Sequence, residues 1–193
     1  MAISDISIYN SALIKIGADI ISSTTQDTRS ANLINKIYGL KRDEVQSSRP
    51  WSFTLNRYTL APKSTVPTFG WDNTFDLPNS WLAVWEVNSS GSIDGLEDTD
   101  YRVEQNTIVS DEDTLDVVLG ISNTDPSTWS HLFAEALAWR IATEISIALK
   151  QSENLMMMCD KKYQEILAQA SWKNSLDNPS RVLVADKWTN SRL

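Results

Sequence analysis

The sequence predicts an α+β fold, a four-helix bundle with an inserted small antiparallel β subdomain and an extended C-terminal arm. Apolar residues recur at helical spacing near both ends of the chain, whereas the middle alternates between apolar and polar residues. A chain of 193 residues is long enough to bury one core that carries an inserted subdomain. The predicted parts are residues 1–51 and 122–171 for the bundle, 52–121 for the β subdomain and 172–193 for the arm.

The N-terminal part of the sequence predicts two helices. The first begins after Ser4, a residue type that caps helices well, and ends near Gly17. The second is longer and spans about residues 27–47, ending before Pro50. Both have an apolar stripe on one side, so both need a packing partner.

From Trp51 onward the sequence pattern changes to alternation, which is typical of strands. A slip of this alternation between Leu55 and Tyr58 predicts a β-bulge in the first strand. The third strand is apolar enough to be buried on both faces. The predicted strands are residues 52–60, 71–76, 81–87, 101–105, a short strand around 108–109, and 114–121.

The C-terminal third predicts two more helices. Asp125 followed by Pro126 is a typical helix start, and the helix should run to about Leu149. Residues 132–149 are apolar nearly all round, but the charges of this stretch favour a central buried helix over a membrane span. A last helix spans residues 152–171, with Cys159 on its inner side.

The composition of the chain excludes some classes of function. The formal net charge of −8 argues against a protein that grips nucleic acid by its phosphates, because that function needs clustered Lys and Arg. The single cysteine, Cys159, excludes an internal disulfide, and the N-terminus does not resemble a signal peptide. We therefore expect a protein made in a reducing cytoplasm.

The residues that usually carry catalysis are few. His131 is the only histidine, so a His-based metal cluster is impossible. A Cys159–His131 nucleophile pair is disfavoured because Cys159 falls on the inner side of its helix. The glycines are scattered singly, without a phosphate-binding loop. We expect no catalytic residue, no metal and no cofactor.

The strongest electrostatic feature is an acidic block in which nine acidic residues accompany a single base, Arg102. The spacing does not fit a calcium loop, although an irregular calcium site remains an alternative. A carboxylate pair for glycoside hydrolysis would need one acid in an apolar pocket. The favoured interpretation is an acidic surface, either plainly solvated or repelling a polyanion. The nine residues are Asp94, Glu97, Asp98, Asp100, Glu104, Asp111, Glu112, Asp113 and Asp116.

Seven of the eight tryptophans divide into two groups by their surroundings. Trp51, Trp81, Trp85 and Trp139 lie in apolar periodic stretches and are expected in the core. Trp71, Trp172 and Trp188 lie in polar or terminal stretches and are expected to anchor contacts with other molecules. The arm, which contains Trp188 and an apolar strip at 182–184, is expected to dock on a partner; a frayed terminus is the alternative.

Five segments in this order resemble the head-to-tail adaptors of tailed bacteriophages, of the tail tubular protein A type. The resemblance covers nearly the whole chain, from about residue 3 to residue 170. The segments are residues 8–17, Arg49-Pro50-Trp51-Ser52-Phe53, the turn Phe75-Asp76-Leu77-Pro78-Asn79, the strand 81–87 and the Ala-rich helix 133–149.

The resemblance implies a structural virion protein at the portal–tail junction. Members of that family form a ring of twelve copies beneath the portal protein, and DNA passes through the ring without specific binding. The helices would face the portal, the β subdomain the tail nozzle or tail fibres, and the arm would extend onto the portal. The implied portal-binding residues are Arg181, Val182, Leu183, Val184, Lys187, Trp188 and Arg192. The candidate acidic lumen face comprises Asp94, Glu97, Asp98, Asp100, Asp111, Glu112 and Asp113, although these acids could equally face outward.

Two alternatives belong to other classes of protein. The first is a virion-associated peptidoglycan hydrolase that uses Glu135 or Glu144, although Glu144 is four residues from Arg140 and is more simply an ion-paired residue. The second is a cytoplasmic bacterial binding module unrelated to virions.

Overall fold

The structure, a computed structural model, describes residues 3–89 and 99–177 of the chain. These residues form a mixed α/β fold with four α-helices and two small antiparallel sheets of three strands each. The helices are α1 (Asp5–Lys15), α2 (Arg29–Ser47), α3 (His131–Lys150) and α4 (Glu153–Asp177). The strands are β1 (Leu55–Leu60), β2 (Asn73–Asp76), β3 (Trp81–Ser89), β4 (Tyr101–Glu104), β5 (Thr107–Ser110) and β6 (Leu115–Ile121).

Helix α1 begins and ends where the sequence predicts. The Ser4 hydroxyl accepts a hydrogen bond from the Ser7 amide at 3.3 Å, and the Ser7 hydroxyl accepts one from the Ser4 amide at 3.0 Å. These two bonds satisfy amides that the first helical turn leaves without partners. Gly17, just beyond the helix, has a φ of +63°, which glycine adopts without strain.

Helix α3 begins later than the Asp125-Pro126 pair predicts. Asp125 caps only a short 3₁₀ turn, Pro126–Thr128, and Ser130 caps α3 by accepting a hydrogen bond from the Phe133 amide at 3.1 Å. Between the two caps, the extended backbone of Trp129 places its buried indole against the ring of Phe133, with centroids 5.2 Å apart. Core packing of this tryptophan therefore interrupts the helix.

Helix α3 is the central helix, because α1, α2 and α4 each pack against it. Leu137, Ile141 and Ile145 along α3 are buried, which confirms that the apolar stretch is a core helix. Within the described ranges, no helix is long and apolar enough to cross a membrane. Cys159 of α4 is fully buried against this core, as predicted.

The six strands form two sheets, with strand orders β1-β6-β3 and β2-β5-β4. The predicted bulge in β1 is wrong, since β1 pairs with β6 in unbroken register from Leu55 to Leu60. The irregularities lie instead in β3, between Trp81 and Ala83 and between Val84 and Glu86. The prediction that β3 is buried on both faces is also wrong: as an edge strand it is only half-buried.

The tryptophans follow the sequence prediction in part. Trp51 is buried, whereas Trp81, Trp85 and Trp139 are half-buried. Trp129, which the sequence analysis did not place in the core, is 4% exposed. The predicted helix start at Asp125-Pro126 placed Trp129 in the first turn of α3, but α3 begins only at His131.

Helix α4 continues through Asp177, so residues 172–177 are helical and do not belong to an extended arm. The side chain of Asn174 holds this end in place: its Oδ1 accepts from the Ser52 amide at 3.0 Å, and its Nδ2 donates to the Pro50 carbonyl at 3.0 Å. Contacts with a distant segment therefore extend the helix beyond its predicted end. The rest of the predicted arm, residues 178–193, lies outside the described residues.

The strands form an insertion between α2 and α3, and the two ends of this insertion lie close together. The chain leaves the helical part at Thr54 and returns after β6, where the Ile121 amide donates to the Thr54 carbonyl at 2.8 Å. A second, smaller core forms within the insertion around Phe75, Ile108 and Leu115. The helical and β parts thus each have their own core.

Candidate functional site

Part of the predicted acidic face gathers at one edge of the sheet β2-β5-β4. Asp100 directly precedes β4 and Asp111 directly follows β5, and the pairing of Tyr101 with Ser110 brings the two acids to the same edge. The Ser110 hydroxyl donates to the Asp100 backbone carbonyl at 2.8 Å. Glu112 and Asp113 follow in the same turn, whereas Asp94, Glu97 and Asp98 lie outside the described residues.

Asp72 joins this edge, a residue that the sequence analysis did not include. Its amide donates to Asp111 Oδ1 at 2.9 Å, because β2 pairs with β5 immediately beyond. Asp72, Asp100 and Asp111 are exposed, and none of the ion pairs among the described residues involves them. The negative charge of this acidic edge is therefore not balanced by an ion pair among the described residues. The sequence does not reveal that Asp72 belongs to the edge, because this depends on which strands pair. In the described ranges, no group of three or more His, Cys, Asp or Glu side chains could hold a metal ion.

The two acids proposed for a hydrolase both form ion pairs between helices. Glu135 on α3 contacts Lys15 on α1, with 2.9 Å between Oε1 and Nζ. Glu144 is ion-paired as expected, but its partner is Lys41 on α2, with 3.2 Å between Oε2 and Nζ. Arg140 contacts Glu44 of α2 instead, because the two helices approach each other at this level.

Glu44 lies at the centre of this network, between Lys41 at 2.9 Å and Arg140 at 2.8 Å. Partial burial acts to raise the pKa of the Glu44 carboxyl, but the hydrogen bonds from Arg140 and Lys41 outweigh it and hold the pKa below its usual value. For Arg140, burial opposes the charge, yet Glu44 raises the guanidinium pKa above its usual value. The network therefore joins α2 to α3 through the charged carboxylate of Glu44 and the charged guanidinium of Arg140.

Cys159 and His131 occupy different environments. Cys159 is fully buried, and the Ser146 hydroxyl lies 3.8 Å from its Sγ. Burial raises the pKa of the Cys159 thiol, which keeps the nucleophilic thiolate scarce. His131 is the exposed first residue of α3.

A groove lies between α3 and α4 and has a volume of about 420 Å³. The Ile147 and Met157 side chains line it and are 50% and 56% exposed. Two bases, Arg140 and Lys161, and two acids, Glu144 and Asp160, add charged groups to the lining. Since exposed methionines are common at adaptable binding surfaces, the run Met156-Met157-Met158 was a signal that the sequence analysis missed.

The end of α4 carries a second exposed apolar pair. Trp172 is 67% exposed and Leu176 is 55% exposed, and their spacing of four puts them on the same side of the helix. The predicted contact role of Trp172 fits this exposure. The predicted portal-binding residues lie outside the described residues; they are Arg181, Val182, Leu183, Val184, Lys187, Trp188 and Arg192.

In comparisons with known proteins, no protein-family model matches this chain, and no curated protein sequence matches it.

Proposed function

We propose that this chain is a head-to-tail adaptor of a tailed bacteriophage, a structural protein that forms a ring between the portal and the tail and continues the DNA channel. The observation that carries this proposal is the order of the elements: two helices, an inserted β part and two further helices. It is the order on which the resemblance to tail tubular protein A rests.

Two separate cores support a role in joining two partners. In the proposal, α1 to α4 form the portal-proximal four-helix bundle, and the strands form the tail-proximal subdomain. Because the insertion leaves and returns at Thr54 and Ile121, the helical and β parts can each present a surface to a different partner.

The acidic edge supports a channel role. Carboxylates at Asp72, Asp100 and Asp111 are exposed and without ion pairs among the described residues, so they repel phosphates. In the proposal this edge faces the lumen, where DNA must pass without being held. An outward-facing edge would leave the adaptor role intact but remove this part of the mechanism.

The arm is proposed to begin after Asp177, the last residue of α4, and to contact the portal through its basic and apolar residues. Its anchors are the apolar strip at 182–184 and Trp188, because isolated hydrophobic residues in a polar segment commonly dock on a partner.

Electron microscopy of this chain mixed with the portal protein encoded nearest to it tests the proposal. Class averages should show a ring stacked on the portal, and the ring's symmetry gives the copy number. Images of the portal alone, with the chain left as a free monomer, would contradict the adaptor role.

A chain ended after Asp177 is the matched variant for the arm. It keeps α4 complete, including the contacts of Asn174, so its circular dichroism should match that of the full chain. It should fail to attach to the portal. Zymography on cell-wall substrate addresses the hydrolase alternative, for which we expect no clearing.

A further inference from the structure

Strand β4 forms one edge of the sheet β2-β5-β4. It pairs with β5 on one side, and no strand within residues 3–89 and 99–177 pairs with it on the other. All four of its residues are exposed, including Tyr101 at 41% and Val103 at 38%. The opposite edge differs, because the Lys63 amide donates to the Thr74 carbonyl of β2 at 2.7 Å. An exposed edge such as β4 is a template for pairing with another strand.

The hairpin that joins β4 to β5 determines which backbone groups of β4 point outward. Its turn consists of residues 105–106, so Glu104 and Thr107 form the hydrogen-bonded pair next to the turn. Hydrogen-bonded and non-hydrogen-bonded pairs alternate along an antiparallel ladder. The pair between Val103 and Ile108 is therefore non-hydrogen-bonded, and the Val103 amide and carbonyl point away from β5. A partner strand can bind these two groups.

The charges of β4 are complementary to those of a second copy of the same strand. Arg102 and Glu104 are exposed and two positions apart, and neither forms an ion pair among the described residues. When two copies pair antiparallel with Val103 opposite Val103, Arg102 of each copy lies opposite Glu104 of the other. These two pairs occupy non-hydrogen-bonded positions, where side chains approach most closely. Opposite charges that face each other across strands stabilise the pairing.

The same charges disfavour the neighbouring registers. A shift by two residues keeps the backbone groups in phase but places Arg102 opposite Arg102, or Glu104 opposite Glu104, which destabilises a sheet. In the register centred on Val103, the acidic edges of the two copies stay apart. Their Asp100 residues lie six positions from each other along the paired strands, about 20 Å. That distance exceeds the screening length of about 8 Å at physiological ionic strength.

From the exposed edge, its backbone phase and its charge pattern, we infer that two free subunits associate through a two-fold antiparallel β4–β4 pair centred on Val103. Tyr101 of each copy then lies diagonally across from Val103 of the other, which adds a contact between an aromatic and a β-branched side chain. Only four residues of each copy take part, so the association is weak and reversible.

This pair is distinct from the ring of the proposed function. A two-fold contact closes on itself, whereas a ring needs contacts between different surfaces of neighbouring subunits. The β4–β4 pair therefore concerns the free chain, before any assembly. Its failure would leave the proposed adaptor role untouched, and a chain without an adaptor role could still form it.

Analytical ultracentrifugation over a range of protein concentrations tests the inference. The native chain should show a monomer–dimer equilibrium. Arg102→Glu and Glu104→Arg should each lose the dimer, because each variant places two like charges opposite each other. An equimolar mixture of these two variants should dimerise, since opposite charges then face each other again. Arg57→Glu, at an exposed position of β1, makes the same charge change as Arg102→Glu and should dimerise like the native chain.

A cysteine at the two-fold position tests the register. In the inferred pair the two Cα atoms at position 103 are about 5.5 Å apart, a distance that a disulfide spans. Oxidation of Val103→Cys should therefore give a covalent dimer. Glu104→Cys is the matched control and should stay unlinked, because its two Cα atoms would lie about 8 Å apart. Cys159 is buried, so the native chain should also stay unlinked.

Three results would overturn the inference. The first is a native chain that remains monomeric at every concentration. The second is a dimer that persists in both Arg102→Glu and Glu104→Arg, which would place the contact on another surface. The third is oxidation that links Glu104→Cys but not Val103→Cys, because the strands would then pair in a different register.

Discussion

The side chain of Gln46 and the backbone of Asn123 form a reciprocal pair of hydrogen bonds. Gln46 Nε2 donates to the Asn123 carbonyl at 2.7 Å, and the Asn123 amide donates to Gln46 Oε1 at 2.9 Å. Gln46 is only 1% exposed, although it is polar. This pair joins α2 to the chain just after β6, where the insertion returns to the helical part.

Replacing Gln46 with leucine should destabilise the protein by about 1–3 kcal/mol, because two backbone groups of the half-buried Asn123 would lose their partners. Urea denaturation measures the free energy of unfolding. The control is Gln164→Leu, at an exposed position of α4, where we expect a change within about 0.5 kcal/mol. Equal stability of the two variants would show that the Gln46 pair contributes little.

Gly120→Ala should destabilise the protein by about 1–3 kcal/mol, the usual cost of overpacking. An added Cβ would lie 2.8 Å from Nε1 of Trp85, whose ring packs over β6 from the neighbouring strand β3. Gly39→Ala in α2 is the matched control, because nothing lies within 4 Å of its added Cβ. That variant should be about 0.5–1 kcal/mol more stable. Thermal unfolding of both proteins should therefore show shifts of opposite sign.

The Glu44 network predicts a dependence of stability on acid pH. The pKa of Glu44 is lower in the folded protein than its usual value of 4.5, so its contribution is present above pH 4.5 and is lost as pH falls through the folded pKa. The stability difference between the native chain and Glu44→Gln should be largest near neutral pH and should shrink below pH 4.5. Urea titrations at several pH values measure it.

Glu86→Gln is the control for this prediction, since Glu86 is exposed and forms no ion pair among the described residues. Its stability difference from the native chain should stay nearly constant across the same range. A Glu44→Gln difference that is equally constant would contradict the role of the network.

The raised pKa values of Tyr9 and Tyr38 predict a loss of stability at alkaline pH. Burial, followed by the charge of Asp5, raises the pKa of Tyr9 to about 12. Burial and a 2.6 Å hydrogen bond to Asp5 Oδ1 raise the pKa of Tyr38 further. A raised folded pKa gives stability that is present below the usual value of 10.0 and is lost as pH rises through the folded pKa.

Stability should therefore fall as pH rises above 10. The fall should be shallower in the double variant Tyr9→Phe with Tyr38→Phe. Tyr101→Phe, at a side chain that is 41% exposed, is the control and should follow the native curve. Urea denaturation between neutral and strongly alkaline pH checks all three proteins.

Local patterns predicted most elements of the fold. The cap at Ser4, the alternation in residues 114–121 and the apolar stretch 132–149 each act within a few residues, so they can be recognised in the sequence. The errors occurred where distant residues intervene. Trp129 interrupts the start of α3 because its indole packs in the core near Phe53, and Asn174 extends α4 because it binds the chain at Pro50 and Ser52.

The candidate surfaces were less accessible from the sequence. The acidic block was evident from composition, but the place of Asp72 beside Asp111 depends on which strands pair. The α3–α4 groove depends on how two helices meet, and a run of methionines indicates only that a surface is adaptable.

The sequence by itself determined the order of helices and strands, the Ser4 cap that begins α1 and the acidic balance of the chain, because these depend on neighbouring residues and on composition. The tertiary structure alone decided the ion-pair partner of each charged side chain and the residues that join the helical part to the β part. Glu144 shows the difference: the sequence places Arg140 one turn away, yet the packing of α2 against α3 gives it Lys41. Such pairings depend on contacts between segments about a hundred residues apart, and local periodicity carries no information about them.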